Sequence, residues 1–271
     1  MYNGQVLQDK FVLNVHKFKK NGYFLEIGGN DPININNSYL LEKHYNWKGI
    51  IIEYESKFLE LYIKHRQNSI HVINDATNID YYTLFAQNNV PLNIDYLQID
   101  LEVNNGSTIE TLKKLDNEVF DYYKFAVITF EHDIYDTNYD NTRNKSREIF
   151  KKRGYTRVFD DIANKNNPFE DWYVHPELVD MNYINDLIKL NSNRYTQHNI
   201  TGKCLNYENI VYPRIIINLQ IIKIRRKNTL LDYETLKNTL LDYETLKNTL
   251  NFYFSKIKYL ILLFFSFKYP F

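Results

Sequence analysis

Short apolar, β-branched runs alternate with segments of helical period from Lys10 to about His175, and no other feature constrains the fold as strongly. This alternation is typical of βα units, in which crossover helices join parallel strands. The predicted strands are Tyr23–Ile27, Gly49–Glu53, Ile70–Asn74, Asp95–Leu101, Phe125–Glu131, Thr156–Asp160 and Asp171–Val174. The predicted helices are Tyr39–Tyr45, Lys57–His65, Tyr81–Asn88, Thr108–Leu115 and Thr142–Arg153. Together they predict a doubly wound α/β fold with a mostly parallel sheet.

The chain divides by pattern into a domain and two later segments. Its 271 residues are enough for one large domain with an appendage, since a domain takes roughly 100–200 residues. We predict a domain over residues 1–180, a poorly defined extension over 181–226 and a tail over 227–271. The tail opens with a direct repeat, in which KNTLLDYETL at 227–236 recurs at 237–246. We interpret it as a helical extension left by a duplication, with a partner-binding helix as the alternative.

Charge and cysteine content limit the partners and the compartment. Lys plus Arg and Asp plus Glu both number 33, so the chain lacks the basic excess of a general nucleic-acid binder. The single cysteine, Cys204, cannot form an internal disulfide, and the first residues lack the pattern of a signal peptide. We therefore expect a cytoplasmic protein without a nucleic-acid partner.

The last apolar run, Tyr259–Phe267, bears on membrane contact. It is too short to span a bilayer, which needs about 20 residues. Docking on the domain and contact with a membrane surface remain the two interpretations.

A strand that runs into two glycines, GYFLEIGGNDP over residues 22–32, is the first stretch with chemical content. Glycine belongs where the backbone turns sharply and approaches a ligand closely. Glu26 at the end of this strand can accept hydrogen bonds, and Glu53 ends the next strand. An acid at the tip of the adjacent strand is placed to bind both hydroxyls of a ribose.

The residues after the glycines separate two kinds of ligand. A dinucleotide site has three spaced glycines and a helix that starts at once, because the pyrophosphate lies on the helix N-terminus. Here Asn30, Asp31 and Pro32 follow the glycines, and the acid at 31 would repel a phosphate. S-adenosylmethionine carries a positive sulfonium and no phosphate, so it fits this loop better. A dinucleotide or nucleotide-sugar enzyme stays as an alternative.

Polar residues also end the later strands. Those that follow the third, fourth and fifth strands are Asn74, Asp75, Asp100, Glu102, Glu131, His132 and Asp133. Ligands of open α/β sheets bind outside the carboxyl ends of the strands. We therefore expect these side chains to gather on one rim of the sheet.

A series of motifs is specific when its order and spacing are taken together. It comprises QDKF at 8–11, FLEIGGNDP, NNSYLLEK, WKGIIIEYE, IDYLQIDLEVNNGSTIETLKKL, ITFEHDIY, SREIFKKRGYTRV and FEDWYVHPEL. Over roughly residues 7–179 the chain resembles the FkbM-type methyltransferases of the class I S-adenosylmethionine-dependent superfamily. The resemblance implies a seven-stranded sheet, S-adenosylmethionine as methyl donor, and an oxygen acceptor on a sugar or other small metabolite.

The resemblance also implies which residues bind the cofactor. They are Glu26, Gly28, Asn30, Asn37, Ser38, Glu53, Asp75, Asp100 and Glu102. In the family pattern these positions form, in order, the methionine-side loop (26, 28, 30), the start of the next helix (37, 38), the ribose acid (53), the adenine-edge residue (75) and the motif beside the transferred methyl (100, 102).

The sequence departs from the family pattern at Asp31-Pro32, at Tyr54 and at residues 103–105. The last departure follows Glu102 on the acceptor side of the site. It favours the alternative of a catalytically inactive binding or scaffold protein. Acids at three strand tips favour an enzyme, because a scaffold has no need of them.

Methyl transfer to oxygen requires an oriented acceptor and a base for its proton. The predicted catalytic residues are Asp100, Glu131 and His132. The alternative is a divalent cation held by oxygen and imidazole ligands drawn from Asp100, Glu102, Glu131, His132 and His175. The predicted wall of the acceptor pocket is Trp172, Tyr173 and His175, unless these aromatic residues are plain core. We therefore predict methylation of a small-molecule or glycan hydroxyl.

Overall fold

The computed structural model describes residues 2–136 and 140–213. Its helices are α1 (Gln8–Val15), α2 (Tyr39–Tyr45), α3 (Leu59–His65), α4 (Tyr81–Gln87), α5 (Ser107–Glu118), α6 (Asp140–Lys152) and α7 (Met181–Asn191). Its strands are β1 (Tyr23–Ile27), β2 (Lys48–Glu53), β3 (Ser69–Ile73), β4 (Asn93–Ile99), β5 (Lys124–Glu131), β6 (Thr156–Asn164), β7 (Asn167–Val174), β8 (Thr196–His198) and β9 (Gly202–Asn206). The predicted repeat and apolar tail lie outside the described residues.

The sheet confirms the predicted doubly wound, mostly parallel architecture. Its strand order is β3-β2-β1-β4-β5-β7-β6-β9-β8, in which the seven predicted strands come first. Strands β1 to β5 pair in parallel, whereas β7 is antiparallel to both β5 and β6. Because β7 runs backwards, its first residues lie at the carboxyl end of β5, where Glu170 is opposite Glu131.

Both faces of the sheet are buried, as expected when helices cover a parallel sheet on either side. Strand β1 is buried along its whole length. One core layer lies on the side of α1 and α7, where Phe11 stacks on Trp172 with ring centroids 4.7 Å apart. The other layer lies on the side of α5 and α6 and contains Phe130, Phe150 and Tyr173.

Residues 181–213, for which the sequence predicts no defined structure, add to the same sheet within the described part of the chain. The Asp180 carboxylate caps α7 by accepting the Asn182 N–H, and Ile184 and Leu187 of this helix are fully buried. Strand β9 pairs in parallel with β6 and in antiparallel fashion with β8. The sheet domain therefore continues past residue 180. Among the described residues, no helix has the length and apolarity needed to cross a membrane.

Candidate functional site

The carboxyl ends of β1, β2, β4 and β5 meet at one rim of the sheet. In the register of the strands, Ile27 pairs with Ile52 on one side and with Ile99 on the other, and Ile99 pairs with Phe130. The predicted residues that end or follow these strands therefore come together at this edge. They are Gly28, Asn30, Glu53, Asp100, Glu102 and Glu131.

The loop after β1 is built on Gly28, whose φ is +85°. The amides of Gly28 and Gly29 both donate to the Ile52 carbonyl, at 2.9 and 3.3 Å, and the Asp100 amide donates to the Ile27 carbonyl at 3.0 Å. A Cβ at residue 28 would overlap the carbonyl oxygen of Asp100. The close approach and the left-handed backbone both require glycine here.

Glu53 fixes this loop through its carboxylate, which is 7% exposed. One carboxylate oxygen accepts the Asn30 N–H at 2.6 Å, and the other accepts the Glu55 N–H at 2.7 Å. The hydroxyl of Tyr62, a fully buried residue, donates to the Asn30 carbonyl at 2.8 Å. The predicted ribose acid thus lies at the rim and also holds the glycine loop in place.

Glu26 lies below the loop rather than on its open side, because the residue is fully buried. Its carboxylate accepts the Ser38 hydroxyl at 2.7 Å, the Ser38 N–H at 3.2 Å and the Asn36 amide at 3.2 Å. Burial raises the pKa of Glu26, and the nearby Arg66 guanidinium opposes that rise. In the structure Glu26 and Ser38 support the loop, and their predicted contact with the cofactor stays a prediction.

Arg66, which the sequence reasoning missed, organises the segment between β1 and α2. It is fully buried and donates from Nε to Glu42 at 2.8 Å and from Nη2 to the Ser38 hydroxyl at 2.6 Å. Its Nη1 donates to the Asn36 side chain at 2.9 Å and to the Pro32 carbonyl at 3.2 Å. No local sequence pattern marks this arginine, since its partners lie at least 24 residues away.

Two buried amide oxygens at the rim have no hydrogen-bond partner within the described residues. They are Asn37 Oδ1 and Gln98 Oε1, on side chains that are 2% and 3% exposed. Gln98 is opposite Glu26 in the register of β1 and β4, and its Nε2 donates to Asp100 at 3.3 Å. Buried acceptors are rarely left unpaired, so these oxygens mark a place for a ligand that donates hydrogen bonds.

The N-terminal segment before α1 passes over the same rim. The Asn3 side chain donates to the Ile33 carbonyl at 2.9 Å, and the Gln8 amide donates to Glu170 at 3.1 Å. A Cβ at Gly4 would meet the unpaired oxygen of Asn37. This segment therefore lies against the loop on one side and against β7 on the other.

An acidic row lies at the ends of β4 and β5. We give this name to Asp100, Glu131 and Asp133, which lie at the ends of these strands and are close enough for the charge of Asp100 to act on the other two. Burial, followed by the charge of Asp100, raises the pKa of Glu131 well above its usual range. Burial and the charges of Asp100 and Glu102 raise the pKa of Asp133 to about 6.

Three further acids border the row or the loop. Glu170 is buried beside it, and burial raises the pKa of Glu170 to about 8. Glu102 is exposed.

Asp75 accepts the Thr77 N–H at 2.8 Å and so caps the short helix Ala76–Asn78. A groove of about 620 Å³ begins there and runs along α5, with Thr77, Asn105, Gly106, Ser107 and Glu110 among its lining residues.

The structure does not bring His132, the third predicted catalytic residue, together with Asp100 and Glu131. The ring is fully buried, its Nδ1 accepts the Ile134 N–H at 3.3 Å, and its Nε2 lies 3.3 Å from Asp171. Neighbouring residues of a strand point to opposite faces of the sheet. Glu131 therefore faces the side of α1, whereas His132 faces α6 and does not reach the rim.

His132, Asp161 and Asp171 place ligand atoms within 4.8 Å of one another. Two arginines already fill this cluster: Arg143 binds Asp161 through two hydrogen bonds of 2.7 and 2.6 Å, and Arg147 donates to Asp171 at 2.6 Å. The two guanidinium groups balance the two carboxylates. The cluster is a structural ion-pair network that joins α6 to the sheet.

The predicted acceptor wall is also corrected. Trp172 and Tyr173 are buried in the two core layers. The His175 amide donates to the Ala126 carbonyl, near the amino end of β5. Because β7 is antiparallel, Tyr173 and His175 lie away from the rim, whereas the Trp172 indole donates to Glu170 at 2.7 Å. His175 is therefore not among the residues that the structure brings to the predicted cation ligands.

No protein-family model matches the sequence, and none of the curated protein sequences matches it. Solved structures with a similar fold include a putative rRNA-methylase from Clostridium thermocellum, at 12% identity and a TM-score of 0.42 over 64% of this chain and 98% of that one. A methyltransferase from Pyrococcus furiosus has 20% identity and a TM-score of 0.40 over 62% and 81%. Precorrin-6y C5,15-methyltransferase from Geobacter metallireducens has 14% identity and a TM-score of 0.37 over 61% and 85%. The likeness concerns the Rossmann-like fold.

Proposed function

We propose that this protein is an S-adenosylmethionine-dependent methyltransferase of FkbM type that methylates a hydroxyl of a small molecule or glycan. The observation that carries the proposal is the arrangement at the rim. There Glu53 fixes the Gly28 loop, and the two side chains with unpaired oxygens lie around Glu26, just before that loop: Gln98 is opposite Glu26 in the strand register, and Asn37 precedes Ser38, which donates to Glu26. The resemblance of the motifs to the FkbM family supports a hydroxyl of a small molecule or glycan as the methyl acceptor.

The chemistry of the rim fits S-adenosylmethionine. The cofactor's ammonium group donates hydrogen bonds, and the oxygens of Asn37 and Gln98 are buried acceptors that need donors. Glu53 can accept from the ribose hydroxyls and Asp75 from the adenine amine, beside the groove along α5. When bound, the cofactor supplies an electrophilic methyl group on a positively charged sulfur.

The acidic row supplies the proton acceptor for the reaction. The acceptor oxygen forms a bond to the methyl carbon as the carbon–sulfur bond breaks, and the hydroxyl proton passes to a carboxylate of the row. Asp100 and Glu131 retain their predicted catalytic roles in this proposal, and Asp133 joins them. The carboxylates also disfavour the dinucleotide alternative, since they would repel a pyrophosphate.

The direct test is a calorimetric titration of the full-length protein with S-adenosylmethionine and S-adenosylhomocysteine. Micromolar binding of both would support the methyltransferase and justify a screen of hydroxyl acceptors. A folded protein that binds neither would contradict the proposal and favour the inactive scaffold.

Replacing Glu53 with alanine is expected to weaken S-adenosylmethionine binding about 10–100-fold, or about 1.4–2.8 kcal/mol. The variant loses a ribose acceptor and frees the Asn30 amide from the loop. Calorimetry measures the change. The matched control is Glu55→Ala, an exposed carboxylate in the same turn, paired only with Lys57 at 3.4 Å among the ion pairs described. Equal affinities of the two variants would contradict the role of Glu53.

Replacing His132 with glutamine is expected to lower the free energy of unfolding by about 1–3 kcal/mol, because buried polar partners lose a hydrogen-bonding group. Because residue 132 does not reach the rim, the variant is expected to bind S-adenosylmethionine with an affinity within about twofold of wild type. Urea unfolding and calorimetry on the same preparation measure both. If the folded variant loses affinity for the cofactor, His132 would have to be counted among the residues of the cofactor site.

A further inference from the structure

A cavity of about 320 Å³ lies between α6 and the strands β6 and β7. Two sequence periods bring its lining together. Arg147 and Lys151 are one turn apart on α6, and Tyr155 and Arg157 are two positions apart at the start of β6, so each pair shares one face. Tyr173 of β7 is opposite Arg157 in the strand register, on the same side of the sheet.

The position of this cavity separates it from the proposed cofactor site. The Tyr155 hydroxyl accepts the Phe125 N–H at 3.1 Å, next to the amino end of β5. The acidic row lies at the other end of that strand, after Phe130. A molecule in the cavity would therefore be a different ligand from the cofactor and from the methyl acceptor.

Three cationic side chains line the cavity, and two of them have no counter-charge. Lys151 and Arg157 form no ion pair with any residue of 2–136 or 140–213. Arg147 donates from Nε and Nη2 to two carboxylates at 2.6–2.9 Å, but its Nη1 makes no hydrogen bond in the same two ranges. Glu148 is the only acid among the described residues of the lining. The charge balance therefore favours an anion, and a guanidinium edge suits the oxygens of a phosphate or carboxylate.

The rings of Tyr155 and Tyr173 give the same cavity an apolar part. Both hydroxyls are used within the protein, since the Tyr173 hydroxyl donates to Asp171 at 2.9 Å. Phe150 packs against both rings, with its centroid 5.8 Å from that of Tyr155 and 4.5 Å from that of Tyr173. Ring walls held in this way suit a flat or apolar group. The volume lies at the low end of the range for ligand cavities, roughly 300–1,000 Å³, which indicates a small molecule.

We propose that this cavity binds a small phosphate monoester. Arg157, Lys151 and Nη1 of Arg147 hold the phosphate, and the organic group lies beside Tyr155 and Tyr173. A phosphate dianion matches the two unpaired cations, whereas a neutral molecule would leave both without a partner. Because Arg147 also binds carboxylates of the sheet, an occupied cavity strengthens the attachment of α6. The proposal does not depend on the methyltransferase function.

The test is a calorimetric titration of the full-length protein with phenyl phosphate, with inorganic phosphate and phenol as companion probes. Phenyl phosphate is expected to bind at one site, at least about tenfold more tightly than either companion, and to raise the melting temperature. The absence of saturable phenyl phosphate binding would overturn the proposal. Phenol that binds equally well would overturn the contact with the anion, and inorganic phosphate that binds equally well would overturn the contact with the rings.

Side-chain variants assign the binding to this cavity. Arg157→Gln is expected to weaken phenyl phosphate binding at least about tenfold, and Lys151→Gln should weaken it as well. Both residues are exposed, so the variants should stay folded and bind S-adenosylmethionine as wild type does. Arg194→Gln, which replaces another exposed arginine, is the control and should leave phenyl phosphate binding unchanged.

The remaining outcomes separate this proposal from the methyltransferase function. Unchanged phenyl phosphate affinity in Arg157→Gln and Lys151→Gln would show that the ligand binds elsewhere and would overturn the proposal. Wild-type protein that binds phenyl phosphate but not S-adenosylmethionine would refute the methyltransferase and support the phosphate site. The opposite result would refute the phosphate site alone.

Discussion

Replacing Arg66 with methionine is expected to lower the free energy of unfolding by about 3–5 kcal/mol, because Glu26 and Glu42 would stay buried without their positive partner. Methionine keeps the length of the side chain and removes the charge and the hydrogen bonds. The loss should be visible as an earlier urea midpoint by circular dichroism. Since the network holds residues 32–38, S-adenosylmethionine binding should weaken as well.

Two companion variants test the physical reason for this effect. Arg194→Met removes an exposed arginine whose one side-chain hydrogen bond among the described residues runs from Nε to the Leu190 carbonyl at 3.4 Å, and stability should hardly change. The double variant Arg66→Met with Glu42→Gln should regain part of the loss, because one unpaired charge disappears. A single-variant loss below about 1 kcal/mol would show that the network is dispensable.

Replacing Gly28 with alanine is expected to lower the free energy of unfolding by about 2–5 kcal/mol, because left-handed backbone strain adds to a steric overlap. The new methyl group would displace the Asp100 backbone, which leads into the acidic row. Binding of S-adenosylmethionine should become undetectable by calorimetry even where the variant remains folded.

Gly154 offers the matched control for this prediction. Its φ is +80°, close to that of Gly28, but a Cβ there would meet nothing within 4 Å. Gly154→Ala therefore carries the backbone strain alone, about 1–2 kcal/mol. The difference between the two variants isolates the contact with Asp100. Equal losses in urea unfolding would rule out that contact as the reason for glycine at residue 28.

Most of the sheet could be predicted because its strands are buried on both faces and end in polar or glycine-rich turns. Strand Tyr23–Ile27 was predicted to the residue, and the other strands of the parallel part deviate by one or two residues at their ends. Strand β8, Thr196–His198, could not be found in the same way. It has three residues, all polar and none of them buried, so no apolar pattern marks it.

Two physical reasons explain why the sequence alone could not place every residue of the candidate site. Glu131 is the last residue of β5 and His132 the first after it, so the two side chains point to opposite faces, and a cluster of polar residues at a strand end does not show which of them faces a ligand. The sequence pattern also carries no strand direction, so the reversal of β7 moved His175 to the far edge. Arg66 was missed because its importance depends on contacts with distant residues.

The bond between Gln8 and Glu170 joins residues 162 positions apart. During synthesis, the segment that covers the rim emerges first, yet its partner strand appears only after most of the sheet has been made. Contacts between such distant residues form slowly, because the entropy of closing a long loop is lost before the contact can stabilise the chain. When the unfolded chain refolds, its affinity for the cofactor should therefore recover last, after the spectroscopic signal of the β-sheet. Recovery of cofactor binding would then report that the domain is complete.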